Sequence, residues 1–333
     1  MSSIAVESER SEPPAKHTPR AGATRFIASY GLQIFTVAAF IIVGTLVPNF
    51  RRIPNLQDIA LQSSFSGLSA AGMTLLIVGG VIDLSVAGII ALTAVTLANL
   101  LPIVPVPVAI VGSLAVGLGL GLLNGFIVTV FRFPPLIATY AMLNVYLAAA
   151  FIWTKAATLP ITDTAILNLA ATQIAGVPLL FVVMLVAAAS CSFILKRTRV
   201  GRNLRAIGSS EPASRMAGLA IDRTRVVAYA IFGFLTSIAG VGFTALLSSA
   251  SANMSIGFEL TVVAVAVVGG TSLLGGSGTL LGTVTGAILF AGLNNALNLF
   301  NVASYWQYIA AGVVLAIALV VTSRRGSQPG RTT

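Results

Sequence analysis

Few side chains in this chain can do chemistry. There is one histidine, His17, and one cysteine, Cys191. His17 lies in a polar stretch with Pro13, Pro14 and Pro19, and Cys191 lies in an apolar run. A Ser-His-Asp or Cys-His pair needs a histidine inside the folded body, and this one lies outside it. A single thiol rules out a disulfide within the chain and a cysteine-based zinc site. Cys191 reads as a small packing residue. No catalytic residue, cofactor or metal site is expected.

The remaining candidates are polar groups in apolar surroundings. Asp83 sits within Gly80-Val-Ile-Asp-Leu-Ser-Val-Ala-Gly88. A carboxyl inside a membrane is costly and points to function. It also has a structural explanation: at a helix break it can act as an N-cap, accepting backbone N–H bonds that lipid leaves unmet. Ser85, Asn124, Asn294 and Asn295 can bond a neighbouring helix or a polyol in transit, and with Asp83 they form the candidate substrate path. The run from Gly269 to Gly278 looks superficially like a phosphate loop. It lacks the Gly-Lys-Ser/Thr ending, so nucleotide binding is not expected.

The elements that hold these groups follow from composition. Of 333 residues, 56% are apolar, 32 are glycine and only 8% are charged, against about 25% charged in a soluble domain. A membrane-spanning helix needs about 20 apolar residues, so this stock fills about ten spans. That excludes a soluble globular enzyme, a disordered chain and a disulfide scaffold. The apolar runs are unbroken, whereas barrel strands alternate. The expected fold is all-α: a polytopic membrane protein with spans near 26–47, 58–79, 84–101, 107–131, 135–153, 177–195, 226–248, 259–270, 281–300 and 304–322. The third and eighth are short, which suggests broken helices near a transport path. Residues 1–25 read as a disordered cytoplasmic tail and 323–333 as a second tail. The first apolar run is too long for a signal-peptide core and reads as a retained span.

Charge placement orients this body. The segment 196–225 holds eight of the 19 basic residues, against only Glu211 and Asp222. With ten spans, this segment, both tails and Arg132 share one side, and only Arg51, Arg52 and Lys155 lie opposite. The positive-inside rule makes that side cytoplasmic, with both termini. The net charge of +10 is thus explained by topology and lipid headgroups; nucleic acid is not needed.

Within the basic segment, Ser209 or Ser210 can cap a helix whose first turn holds Glu211 and Pro212, with Gly218 closing it. A solvated loop would explain the arginines but not a capped helix of about two turns. The helix, Ser209-Ser210-Glu211-Pro212-Ala213-Ser214-Arg215-Met216-Ala217-Gly218, reads as a docking element that a cytoplasmic partner can push.

Other patterns concern packing. Gly117, Gly121 and Gly125 recur every four residues, as do Gly278, Gly282 and Gly286. Each set is a bare stripe that admits another helix closely, and a dimer seam is one place for it. An internal echo pairs Val78-Gly-Gly80 with Val268-Gly-Gly270, though the spacings to the asparagines that follow differ.

Taken in order, eight segments resemble the inner-membrane permeases of bacterial ATP-binding-cassette importers for ribose, xylose, galactose and related sugars. These are relatives of branched-chain amino-acid permeases. The segments are the one around Asp83, Gly121-Leu-Leu-Asn-Gly125, Phe133-Pro-Pro-Leu-Ile-Ala138, the basic segment, Gly257-Phe-Glu-Leu260, Gly269-Gly-Thr-Ser-Leu-Leu-Gly-Gly276, Leu293-Asn-Asn-Ala296 and Trp306-Gln307. The chain departs from the family pattern at Val81, Ala87 and Thr261. The resemblance implies that 26–322 is a transmembrane permease domain in the bacterial inner membrane, and that 209–218 is the coupling helix. It implies cytoplasmic ATPase subunits, a second permease subunit (identical or not), surrounding lipid and a periplasmic sugar-binding protein. The solute would be a neutral pentose, hexose or polyol. The alternative is an ion-coupled secondary transporter, which needs paired intramembrane ionisable groups. Only Asp83, with Glu259 near an interface, is available for that. A channel or scaffold without energy coupling is a third possibility.

Overall fold

The computed structural model describes residues 20–303 together with 306, 309, 312 and 313. His17, most of the tail at 1–25, most of the expected tenth span at 304–322 and the tail at 323–333 lie outside the described residues. The helices are α1 (Arg20–Leu46), α2 (Ile53–Val78), α3 (Val86–Leu100), α4 (Val106–Val130) and α5 (Pro135–Thr154). After these come α6 (Thr164–Ala171), α7 (Leu179–Arg197), α8 (Arg199–Ser209), α9 (Glu211–Met216), α10 (Ile221–Leu247), α11 (Phe258–Val268) and α12 (Leu280–Leu299). The strands are β1 (Leu159–Pro160), β2 (Gln173–Ile174), β3 (Val177–Pro178) and β4 (Ser249–Ala250). Each of the first nine expected spans coincides with a helix.

Among the described residues, α2, α4, α5, α7, α10 and α12 are long and apolar enough to cross a membrane. α3 and α11 are apolar but short. At about 1.5 Å per residue they rise roughly 22 and 16 Å, less than the ~30 Å hydrocarbon core. Both are preceded by non-helical chain, at 81–85 before α3 and 251–257 before α11.

The core is built on α2, α3 and α10, with α4, α5, α7 and α12 around them. The inner half of α2, from Ser63 to Val78, is wholly buried. Most of its hydroxyls bond within their own helix, as Ser64 does to the Ala60 carbonyl at 2.9 Å and Thr74 to the Ala70 carbonyl at 2.8 Å, while the buried Ser69 hydroxyl has no partner among the described residues. Those bonds satisfy polar groups where no water reaches. Small residues let the backbones close. A Cβ on Gly121 of α4 would meet the Tyr229 carbonyl and the Gly233 backbone of α10. One on Gly282 of α12 would meet Gly269. Both glycine stripes therefore pack within the chain, and the dimer seam considered for them is not where they lie.

Short strands close the end opposite α8 and α9. β1 pairs antiparallel with β4, Leu159 opposite Ala250. β2 and β3 form a hairpin with Ile174 opposite Val177. Its two turn residues, Ala175 and Gly176, both have positive φ (50° and 81°), as a turn matched to strand twist requires. Asp163 caps α6 by accepting the Ala165 N–H at 2.9 Å.

Candidate functional site

The basic segment is helical over more of its length than its sequence suggested. α8 occupies 199–209, where a loop was expected. Thr198 is its N-cap, accepting the Gly201 N–H at 3.2 Å. Leu204 and Ile207 are buried on one face, while Arg202 and Ala206 stay exposed. That apolar spacing was readable, but it was masked by the surrounding arginines.

α9 follows at once. Of the two serines considered, Ser210 is the cap, its hydroxyl accepting the Ala213 N–H at 3.4 Å. Pro212 stands in the first turn. Gly218, at φ 71°, closes the helix: its N–H donates to Arg215 and that of Leu219 to Ser214, the paired bonds of a glycine C-cap. Of the ten residues from Ser209 to Gly218, only Ser214 is buried; Pro212, Ala213, Arg215, Met216 and Ala217 are exposed. Met216 is 91% exposed, a large apolar side chain held out from the end of the helix.

α9 is tied back to the body. Glu211 accepts from Arg225 of α10 at 2.7 Å and from Arg215 at 2.8 Å. The Arg225 hydrogen bond holds the Glu211 carboxyl below the usual carboxylate range, with Arg215 adding to it and partial burial opposing. The arginine partner of this acid was missed in the sequence because it lies fourteen residues away, on another helix.

Two helices that pack on each other end in glycine pairs. α2 ends at Gly79-Gly80, with Gly80 at φ 78°. α11 ends at Gly269-Gly270, with Gly270 at φ 86°. The two ends carry the same bonds: Gly80 N–H to Ile77 and Val81 N–H to Leu76, Gly270 N–H to Val267 and Thr271 N–H to Ala266. The internal echo is thus a repeated helix end. The loop after α11 returns to α2, where the Gly276 N–H donates to the Val78 carbonyl at 2.9 Å. Gly208 of α8 lies over this junction, and a Cβ there would collide with the Val78 carbonyl. α8 therefore stands on the end of α2, next to the break before α3, and against the loop that follows α11, while α9 is held to α8 and α10.

The first break is where Asp83 sits. The chain is non-helical over 81–84 before α3 begins. Its N-cap residue is Ser85, not Asp83. Asp83 does accept a backbone N–H there, from Ser85 at 2.7 Å, and also the Asn124 amide at 2.8 Å. The same amide donates to the Ser85 hydroxyl at 2.7 Å, and the Asn124 carbonyl accepts from the Tyr146 hydroxyl at 2.7 Å. Leu84 N–H donates to Thr139 of α5 at 3.0 Å. Asp83, Ser85 and Asn124 are all 0% exposed. α5 thus supplies a partner to the non-helical backbone, and α4 one to the Asp83 and Ser85 side chains. Tyr146 and Thr139 were not singled out in the sequence, since nothing local marks them. In the second break, Ser255 donates to the Ala87 carbonyl at 3.1 Å, so the chain before α11 touches the start of α3.

The remaining candidates lie apart from this network. Asn295 of α12 is buried in a reciprocal amide pair with Asn55 of α2, at 2.8 and 2.9 Å. Asn294 beside it is half-buried. The structure brings Asp83, Ser85 and Asn124 together and leaves Asn294 and Asn295 elsewhere.

Comparison with known proteins adds the following. A family model described as a branched-chain amino acid transport system / permease component matches residues 55–319. The ribose import permease protein of Escherichia coli (strain K12) is 36% identical over 289 residues, 85% of this chain and 90% of that protein. The ribose import permease protein of Bacillus subtilis (strain 168) is 33% identical over 292 residues, 86% and 90% of the two chains. The L-arabinose transport system permease protein of Escherichia coli (strain K12) is 31% identical over 311 residues, 91% and 92%. No solved structure matches the chain.

Proposed function

Because the chain belongs to the family of branched-chain amino acid transport permease components, we propose that it is the membrane subunit of an ATP-binding-cassette importer. Its cargo is a neutral sugar, a pentose, hexose or related polyol, carried across a bacterial inner membrane. Relatives named for ribose and arabinose import support the sugar. So does the scarcity of charge in the apolar body, which gives an ionic solute nothing to pair with. The family implies an ATPase and a solute-binding partner. We infer ten spans with both termini cytoplasmic, and a second permease subunit, identical or not, completing the path. A periplasmic protein delivers the sugar.

The observation that carries this reading is the placement of α9. It is capped at both ends and presents Pro212, Ala213 and Met216 outward. Behind that surface it is gripped by Arg225 and follows directly on α8, whose Gly208 sits against the end of α2. A partner that closes on ATP and moves α9 would move α8 with it. The push then reaches the end of α2, beside the break before α3, and the loop that follows α11. Rocking of those segments alternates access to the path. The residues of this chain make no covalent chemistry; they transmit displacement and shape the route.

The test is substitution on the exposed face. Ala213→Trp and Met216→Asp touch no buried contact, so insertion and thermal stability should hold. ATP hydrolysis by the assembled complex should continue while sugar uptake is lost. Normal uptake in both variants would refute the docking role of α9.

A further inference from the structure

We propose that Arg225 and Tyr229 of α10 are positioning residues that carry the displacement of α9 to the break before α3. Two polar groups left unpaired in this conformation become partners in the other. This rests on the importer reading above. Tyr229 is 0% exposed, and its hydroxyl has no hydrogen-bond partner among the described residues. One turn earlier, the Arg225 side chain is 14% exposed, and its Nε is likewise buried with no partner among the described residues. A buried donor or acceptor left unmet is costly and rare, and such groups call for an explanation. These two stand four residues apart on one helix. Positions i and i+4 are neighbours, and helical side chains lean toward the N-terminus, so the Tyr229 ring leans toward Arg225.

Each of the two touches a different part of the coupling route. The Arg225 Nη2 donates to Glu211 of α9 at 2.7 Å. The same nitrogen lies beside the end of α2, where a Cβ on Gly80 would stand 3.9 Å from it. Tyr229 packs on α4: a Cβ on Gly125 would meet its Cβ at 3.1 Å and its ring at 3.4 Å. The residue next to Gly125 is Asn124, whose amide donates to the Asp83 carboxyl at 2.8 Å. Asp83 and Arg225 are both close enough to the Tyr229 hydroxyl to act on it electrostatically.

Here the ion pair with Glu211 holds the guanidinium toward α9. When a partner draws α9 aside, Glu211 goes with it, and a half-sheltered cation is left without its anion. A phenol both accepts and donates, and a guanidinium only donates. The released Arg225 therefore donates to the Tyr229 oxygen, and the Tyr229 O–H donates to the Asp83 carboxyl. Both unpaired groups are then satisfied at once. Asp83 stands in the non-helical segment 81–84, just before α3. A bond formed to it there draws on the start of that broken span, so a movement at α9 is read out beside the path.

Tyr229→Phe removes the unpaired hydroxyl and keeps the ring that α4 packs on. Melts of the assembled complex, without nucleotide and trapped with a non-hydrolysable ATP analogue, sample the two arrangements. The variant should unfold at the parent's temperature or higher in one, where no bond is lost, and lower in the other, where the new bond is missing. Equal shifts in both would overturn the proposal, because a hydroxyl that is always bonded or always idle gives no difference. Uptake of ribose and arabinose should fall about tenfold in kcat with KM unchanged, the loss of one hydrogen bond to a charged group. A raised KM with unchanged kcat would place Tyr229 on the solute instead and overturn it too. Arg225→Lys keeps a charge for Glu211 but lacks the Nε–H. Combined with Tyr229→Phe it should cost no more than the larger single loss; losses that add would show that the two act independently. Failure of the unsubstituted complex to import any sugar would instead sink the importer reading. The two melting shifts need no transport and would still decide the pairing.

Discussion

Gly208 of α8 and Val78 of α2 share a space that holds only backbone. The Val78 carbonyl accepts the Gly276 N–H at 2.9 Å, and a side chain on Gly208 would occupy the carbonyl's place. Gly208→Ala must push α8 off the end of α2, since its neighbours there are backbone and cannot rotate away. Overpacking of this kind costs of order 1–3 kcal/mol. The expected outcome is a protein that inserts and binds its ATPase but imports sugar about tenfold more slowly, a factor worth about 1.4 kcal/mol. Uptake and ATP hydrolysis measured side by side check it.

Two glycines of α4 should respond oppositely to the same change. Gly121 faces Tyr229 and Gly233 of α10, whereas Gly119 has open space around it. Gly121→Ala should lower the midpoint of thermal unfolding in detergent, because α4 and α10 must separate. Gly119→Ala should leave it unchanged or raise it, since alanine is favoured over glycine in a helix by up to ~1 kcal/mol. Thermal melts of the two variants settle the direction.

The Asp83 network should prove structural. Tyr146→Phe leaves the Asn124 side-chain carbonyl buried without its 2.7 Å partner, at about 1–3 kcal/mol. Stability should fall while the KM for sugar stays put, because Asp83, Ser85 and Asn124 are sealed from the outside. Unfolding and uptake assays on the one variant separate the two effects. A changed KM with unchanged stability would return these residues to the substrate path.

Acid should loosen α9. The Glu211 carboxyl is held below its ordinary range, chiefly by Arg225. A carboxyl with a depressed folded pKa stabilises at pH above its unfolded value, about 4.3, and that contribution fades as pH falls through the lower, folded value. Protection of α9 amides from hydrogen exchange should therefore be full at neutral pH and drop in the acid range. Glu211→Gln should show weak protection at every pH, with no acid step.

The sequence carried much of this arrangement. Unbroken apolar runs located nine helices, because lipid demands length and apolarity in each segment separately. Ser210, Pro212 and Gly218 marked α9, because capping is local chemistry. The short third and eighth spans were legible for the same reason. Long-range partners were not. Arg225 for Glu211, Tyr146 for Asn124 and Asn55 for Asn295 lie on other helices, and no spacing rule connects them. α8 was hidden by its arginines, although Leu204 and Ile207 already held the pattern. The glycine stripes announced close approach but not which helix approaches.

Transport by the isolated chain tests the central claim most directly. Purified alone into vesicles, it should neither hydrolyse ATP nor concentrate ribose or arabinose under a proton or sodium gradient. Accumulation should begin only when the ATPase subunits, the binding protein and ATP are added. Uphill uptake by the lone chain under an ion gradient would contradict it.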